Sequence, residues 1–322
     1  LGAKPEEIYF TAGGSESDNW AIKAAAEAYA KKGRHIITSK IEHHAVLHTC
    51  QYLEQQGFEV TYLPVDENGK IRLSDLEAAI RPDTILVSIM HTNNEIGALE
   101  PIAEAGELIK RVNPNTLFHV DAVQGYGKAK ILPKRMKIDM LSVSGHKIHG
   151  PKGIGFLYVG DRVKIRPIVF GGGQERGLRS GTEATPLIAA FGAAVAALPP
   201  FREQQAHYDR LLGRLIQGLA AMEEVRLHRP AVAVPYIVSL SVPGIRSETM
   251  LHFLAQRGVS SGSACSKGKK SAVLTAMGLP AGEIDSVVRI SLSRYNTEED
   301  IDRLLDGLRE AISCLARSTR QL

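Results

Sequence analysis

Short β-branched runs alternate with helical periods through the first half of the chain, and most runs end in a polar or glycine-bearing turn. This alternation constrains the fold most, because strands joined by helices pair in parallel and need cover on both faces. Strands are expected at 8–10, 35–38, 59–64, 84–90, 117–120 and 140–143, and helices at 16–32, 44–56 and 102–112. Ser15 with Asp18 three residues on predicts a capping box opening the first helix, and Ser74 is expected to cap a short helix reaching residue 81. Residues 84–90 are almost continuously apolar, which predicts a strand buried on both faces.

The alternation stops at Pro199-Pro200. Beyond it a polar helix is expected over 203–223, with strands at 237–242 and 287–293. A terminal amphipathic helix is expected from 298, carrying Ile301, Leu304, Leu305, Leu308 and Ile312 at helical spacing. The pattern predicts a large α/β domain over 1–200 and a smaller α+β domain over 201–322. Residues 187–198, rich in small apolar side chains, are expected to form a helix packed inside the protein, too short for a membrane span.

Composition narrows the function classes. A net charge of +4 over 322 residues gives no electrostatic footprint for nucleic acid. Cys50, Cys265 and Cys314 are the only cysteines, too few for a disulfide framework, and they fit a reducing, cytoplasmic compartment.

In parallel α/β sheets ligands sit beyond the carboxyl ends of the strands, and the chemistry-bearing residues fall there. The first strand runs into Thr11-Ala12-Gly13-Gly14-Ser15 and a helix, which reads either as a phosphate cradle or as a capped turn. Glu42-His43-His44, His91-Thr92-Asn93-Asn94-Glu95, Asp121 with Gln124, and Ser144-Gly145-His146-Lys147 follow other strands. A strand-end Asp is costly to bury without a cation, and a Lys among small residues can become a nucleophilic amine. A phosphate cradle, such an Asp and a Lys able to form a Schiff base together suit pyridoxal phosphate.

Ser144-Gly145-His146-Lys147, the run from His119 to Gln124, the run from His91 to Gly97, and Arg179-Ser180-Gly181-Thr182 resemble the cysteine desulfurases. These are class V members of the fold-type I pyridoxal phosphate enzymes. The run from Ser260 to Cys265 is similar to their cysteine loop of the NifS/IscS type. The resemblance implies a mostly parallel seven-stranded sheet covered by helices, with a smaller C-terminal domain carrying the cysteine.

It also implies residue roles. Lys147 would carry the cofactor, Asp121 would pair with its ring nitrogen, and Gln124 and Asn94 would bond near the ring hydroxyl. His43 would stack on the ring and move protons. Gly14, Ser15, Ser144 and His146 would bind the phosphate, and Thr182 would reach the phosphate of a homodimeric partner. Arg289, together with Asn94, would bind substrate, L-cysteine. Cys265 would receive the sulfur and pass it to an acceptor protein, either an iron–sulfur scaffold or a thiolation enzyme. A selenocysteine lyase, a class V aminotransferase and an inactive scaffold that binds a sulfur-transfer partner remain as other readings.

Two departures stand out. Family members carry a further segment before the position of Leu1, expected to line the mouth of the site. Lys267, Lys269 and Lys270 make a basic run after Cys265, either a solvated loop face or a surface selecting an acidic acceptor. Among the cysteines, Cys265 alone lies outside an apolar period and beside cations, which favours thiolate. Cys50 and Cys314 are expected to pack within helices. His44 and His48, at i, i+4, have metal-ligand spacing but no evident third ligand, so no metal site is expected.

Overall fold

A computed structural model describes residues 1–255 and 271–319. In chain order the elements of the first unit are β1 (Ile8–Thr11), α1 (Gly14–Tyr29), β2 (His35–Ser39), α2 (His44–Gln55), β3 (Glu59–Leu63), α3 (Leu73–Ala79), β4 (Thr84–Ser88), α4 (Ile102–Val112), β5 (Leu117–Asp121), β6 (Met140–Ser144), β7 (Gly155–Val159) and α5 (Thr185–Ala196). The second unit carries α6 (Phe201–Ala220), β8 (Arg226–Leu227), β9 (Ile237–Ser241), α7 (Ser247–Ala255), α8 (Ala272–Ala276), α9 (Ala281–Ile284), β10 (Val287–Ser291) and α10 (Glu298–Thr319).

The chain divides into two compact units. One comprises Leu1–Val65, Lys70–Thr92 and Glu100–Pro199; the other comprises Asp66–Gly69, Asn93–Leu99 and Pro200–Leu322. The first holds a seven-stranded sheet of order β1-β7-β6-β5-β4-β2-β3. Its β2–β3, β2–β4, β4–β5 and β5–β6 pairs are parallel, whereas β7 runs antiparallel to β1 and β6.

Strands buried on both faces sort adjacent apolar residues to opposite sides. Ile37, Val87, Phe118, Val120 and Leu141 join one core cluster, while Ile36, Leu86, Leu117 and Met140 join the other beside Trp20 of α1. This period of two explains why β2 and β4 lack polar alternation. The second unit has its own core, in which Val238, Leu240 and Ile290 pack with Leu211, Leu215, Leu304, Leu305, Leu308 and Ile312. Its sheet is antiparallel, of order β10-β9-β8.

Several expectations need correction. Gly13, not Ser15, precedes α1; Ser15 is an exposed residue of its first turn, and Asp18 is buried inside the helix. Glu16, not Asp18, reaches back, accepting from the Ala12 N–H at 2.8 Å. Ser74 lies within α3, preceded by Arg72 at its cap. The sequence carries little signal for β7, whose short apolar run follows a glycine-rich turn, or for α7, α8 and α9, which lack a long period.

α5 is mostly exposed rather than packed inside: only its Phe191 and Ala194 are buried. Its apolar residues surround the whole helix, so sequence gave no direction for burial. Cys50 is buried as expected, but Cys314 is exposed on α10 and does not pack. Among the described residues, no single helix is long and apolar enough to cross a membrane, and no group of three potential metal ligands occurs.

Candidate active site

The C-terminal ends of β1, β5 and β6 bring the first group of residues together. The chain leaves β1 through Gly13, whose φ of 145° is open to glycine, and enters α1 at Gly14. A side chain at Gly14 would place its Cβ 2.6 Å from Val123 Cγ2. Gly155 is equally tight, since a Cβ there would lie 2.3 Å from the Val143 carbonyl oxygen and 2.8 Å from Gly13 Cα. The glycines therefore bring the start of α1 against β6 and β7. A cavity of about 380 Å³ opens there, lined by Gly13, Gly14, Ser15, Ser144, His146 and Lys152 among others. Amide N–H groups free at the start of α1, with the helix dipole and Lys152, suit an anion. Ser144 Oγ and His146 Nδ1 lie 2.8 Å apart.

Asp121 closes β5 and is buried. Its Oδ1 accepts from the Val123 N–H at 2.9 Å. Burial pushes its pKa up to about 6, against the opposing pull of the Val123 hydrogen bond and the Lys147 charge. Lys147 follows β6 in a short 3-10 turn, Gly145–Ile148, and is half-buried. The same cation lowers the pKa of His43 and of His146, second in each case to desolvation or to desolvation and a neighbouring ring. The turn thus places one positive charge within the field of three site residues.

His43 caps α2. Its Nδ1 accepts from the Ala45 N–H at 3.1 Å, which leaves the neutral ring's proton on Nε2. The ring keeps an exposed edge, yet desolvation by the surrounding protein and then His44, Lys147 and His48 hold its pKa below 6.5. Gln124 is half-buried, three residues beyond Asp121. Thr182 is exposed in the segment before α5. That segment is tied to the cavity by Arg179, whose Nε and Nη2 donate to Glu16 at 2.9 and 3.3 Å. Glu16, Arg179 and Lys152 were absent from the expected set. Glu16 lies four residues beyond Ala12, a spacing that lets its carboxylate reach back to the Ala12 N–H.

The second unit brings Asn94 and Arg289 together. Arg289 on β10 donates from Nη1 to the Asn94 carbonyl oxygen at 2.8 Å. Beside them Ser271 Oγ donates to Glu95 Oε2 at 2.5 Å, and burial raises the Glu95 pKa despite that bond and the Arg289 charge. Cys265 and the basic run after it lie outside the described residues.

The class-V aminotransferase family profile matches residues 1–304. The chain is 50% identical to cysteine desulfurase IscS of Clostridium botulinum, over 97% of this chain and 80% of that protein. It is similar to a solved NifS-like protein, with a TM-score of 0.92 and 41% identity over 98% of this chain and 85% of that one. A structure described as SspA in complex with cysteine is similar at a TM-score of 0.79 and 40% identity, covering 92% of this chain and 84% of that one.

Proposed function

We propose a role for each residue of this site from one premise: the chain belongs to the class-V aminotransferase family and is a cysteine desulfurase. The reaction converts L-cysteine to L-alanine and leaves the sulfur as a persulfide. The observation that carries the residue roles is the buried carboxyl of Asp121, set at a sheet edge beside Lys147 and the glycine-lined anion cavity.

Pyridoxal phosphate suits these residues. A phosphate matches the cavity at the start of α1, a pyridinium supplies a cation for Asp121, and Lys147 offers the amine that would hold the cofactor. When bound, the cofactor supplies an electron sink for the carbon that loses its proton. Gly14, Ser15, Ser144 and His146 hold the phosphate. Asp121 would keep the ring nitrogen protonated, and, as the resemblance implies, Gln124 and Asn94 would bond near the ring hydroxyl. Lys147 would take the substrate α-proton, and His43, neutral with its proton on Nε2, would stack on the ring and relay protons.

Arg289 binds the substrate carboxylate through its planar fork, and Asn94 touches the substrate beside it. The Cys265 thiolate attacks the substrate sulfur. An S–S bond forms as the carbon–sulfur bond breaks, the electron pair stays on carbon, and protonation of that carbon gives alanine. The Cys265 persulfide then passes its sulfur to an acceptor protein. A thiolate that must stay reduced between turnovers fits a cytoplasmic setting.

The chain acts as a homodimer in which Thr182 reaches the partner's phosphate site. The exposed apolar residues of α5, Val195 among them, support a covered interface there. Lys147→Ala tests the assignment. It should abolish both the borohydride-sensitive visible absorbance and alanine release from L-cysteine. Alanine release at the wild-type rate would remove Lys147 from its role.

A further inference from the structure

Behind Asp121 lies a second buried acid that the reaction does not use. Asp18 of α1 is 1% exposed. Its carboxyl faces Ser142 of β6, while its buried Oδ1 has no hydrogen-bond partner and lies 3.7 Å from His119 Nε2. His119 Nε2 is 2.9 Å from Ser142 Oγ, and Nδ1 is 2.8 Å from Ser88 Oγ. His119, Ser88 and Ser142 are fully buried. Asp121, two residues beyond His119, shares that face of β5, and Ser142 pairs with it in register.

The titratable groups facing Asp18 are His119 and Asp121 from β5 and Glu42 from the segment after β2. None supplies a cation. Burial pushes the His119 pKa down to about 3, so its ring is neutral. Glu42 is itself buried, with Oε1 accepting from Ser39 Oγ at 2.6 Å and the Met90 N–H at 3.0 Å. An ionised Asp18 would be a buried anion among acids, which is costly without a cation. Burial and then the Asp121 charge hold its pKa well above the usual carboxylate range.

A protonated Asp18 gives the chain one consistent direction. Its proton would turn to Ser142 Oγ, so that Ser142 donates to His119 Nε2 at 2.9 Å and His119 Nδ1–H to Ser88 Oγ at 2.8 Å. Each serine hydroxyl between them finds a partner, and the single ring proton is fixed on Nδ1. The unpartnered Oδ1 is then the carbonyl oxygen of a neutral acid, which costs less to leave bare than a carboxylate oxygen.

We propose that Asp18 is a positioning residue of the cofactor site: a neutral acid that orients the Ser142–His119–Ser88 chain and leaves Asp121 as the anion for the ring nitrogen. This rests on the reading that Asp121 faces that nitrogen. Losing the donor at Asp18 lets the Ser142 hydroxyl and the His119 ring re-point their dipoles beside Asp121, which changes the field at its carboxylate.

The test uses the cofactor-loaded enzyme at neutral pH. Infrared difference spectra of wild type minus Asp18→Asn should show a protonated-carboxyl C=O band that shifts in deuterated water and persists in Glu42→Gln. Carboxylate bands in its place would overturn the proposal. A pH titration of the bound cofactor's visible absorbance gives the positioning readout. Asp18→Asn, which still donates, should keep the wild-type midpoint, whereas Asp18→Leu and Ser142→Ala should move it about tenfold in proton concentration. Ser142→Ala covers the case in which Asp18→Leu fails to fold. A wild-type midpoint in Ser142→Ala would overturn the positioning role. If instead Asp121→Asn leaves the midpoint unmoved while the Asp18 band remains, the reading of Asp121 fails and the neutral acid stands.

Discussion

Arg179 grips Glu16 with two guanidinium nitrogens, Nε at 2.9 Å and Nη2 at 3.3 Å, while Glu16 also accepts the Ala12 N–H at 2.8 Å. One ion pair, about three-quarters buried, thus joins the segment that carries Thr182 to the first turn of α1. Both strand-end backbone and loop depend on the Glu16 carboxylate keeping its place.

Arg179→Gln should therefore loosen the anion cavity without unfolding the sheet. A hydrogen-bonded charge pair of this kind contributes about 1–3 kcal/mol. Phosphate-dependent cofactor retention, measured by dialysis and residual absorbance, should fall by tenfold or more. Retention equal to wild type would separate the pair from the cavity.

Gly14→Ala should weaken the same cavity by a different route. Its Cβ would stand 2.6 Å from Val123 Cγ2, so α1 or the Val123 side chain must shift. Overpacking of this kind costs about 1–3 kcal/mol. Val123→Ala in the same chain removes the clash and should restore most of the lost cofactor affinity by fluorescence titration. Failure of the second change to help would place the defect elsewhere.

Sequence made the central sheet and its chemistry legible for one physical reason. Strands such as β2 and β4 are buried on both faces, so their apolar runs stand out, and each ends at the edge of the sheet where α/β folds bind ligands. Lys147 and Asp121 stand out because a charged residue at the end of such a run has no packing reason to be there, whereas His43 is singled out from His44 by resemblance. The roles of Asn94 and Arg289 came from resemblance alone. Asp18 was misread as a cap because Ser and Asp at that spacing match a capping pattern, while its partners Ser142 and His119 come from strands more than 100 residues away. The exposure of α5 was hidden because an all-apolar helix carries no directional period.

Asp121→Asn should trade function for stability. The folded pKa of about 6 lies above the ordinary 3.8, so the folded chain holds this proton more tightly than the unfolded chain. The contribution is intact below about pH 4 and is lost as pH rises through 6. At pH values above that window the neutral Asn variant, free of cofactor, should be more stable than wild type by up to about 3 kcal/mol. Thermal melts of the cofactor-free proteins at acid and neutral pH check this, and cofactor affinity should fall in the same variant. A gap that widens toward low pH would contradict the sign.

The most direct test of the account is sulfur transfer to Cys265. A single turnover of L-cysteine by wild-type enzyme should release one alanine per site and add one sulfur to the Cys265 peptide by mass spectrometry. Cys265→Ala should keep the cofactor absorbance and release no alanine. Alanine release by Cys265→Ala at the wild-type rate, or a sulfur found on Cys50 or Cys314 instead, would contradict it.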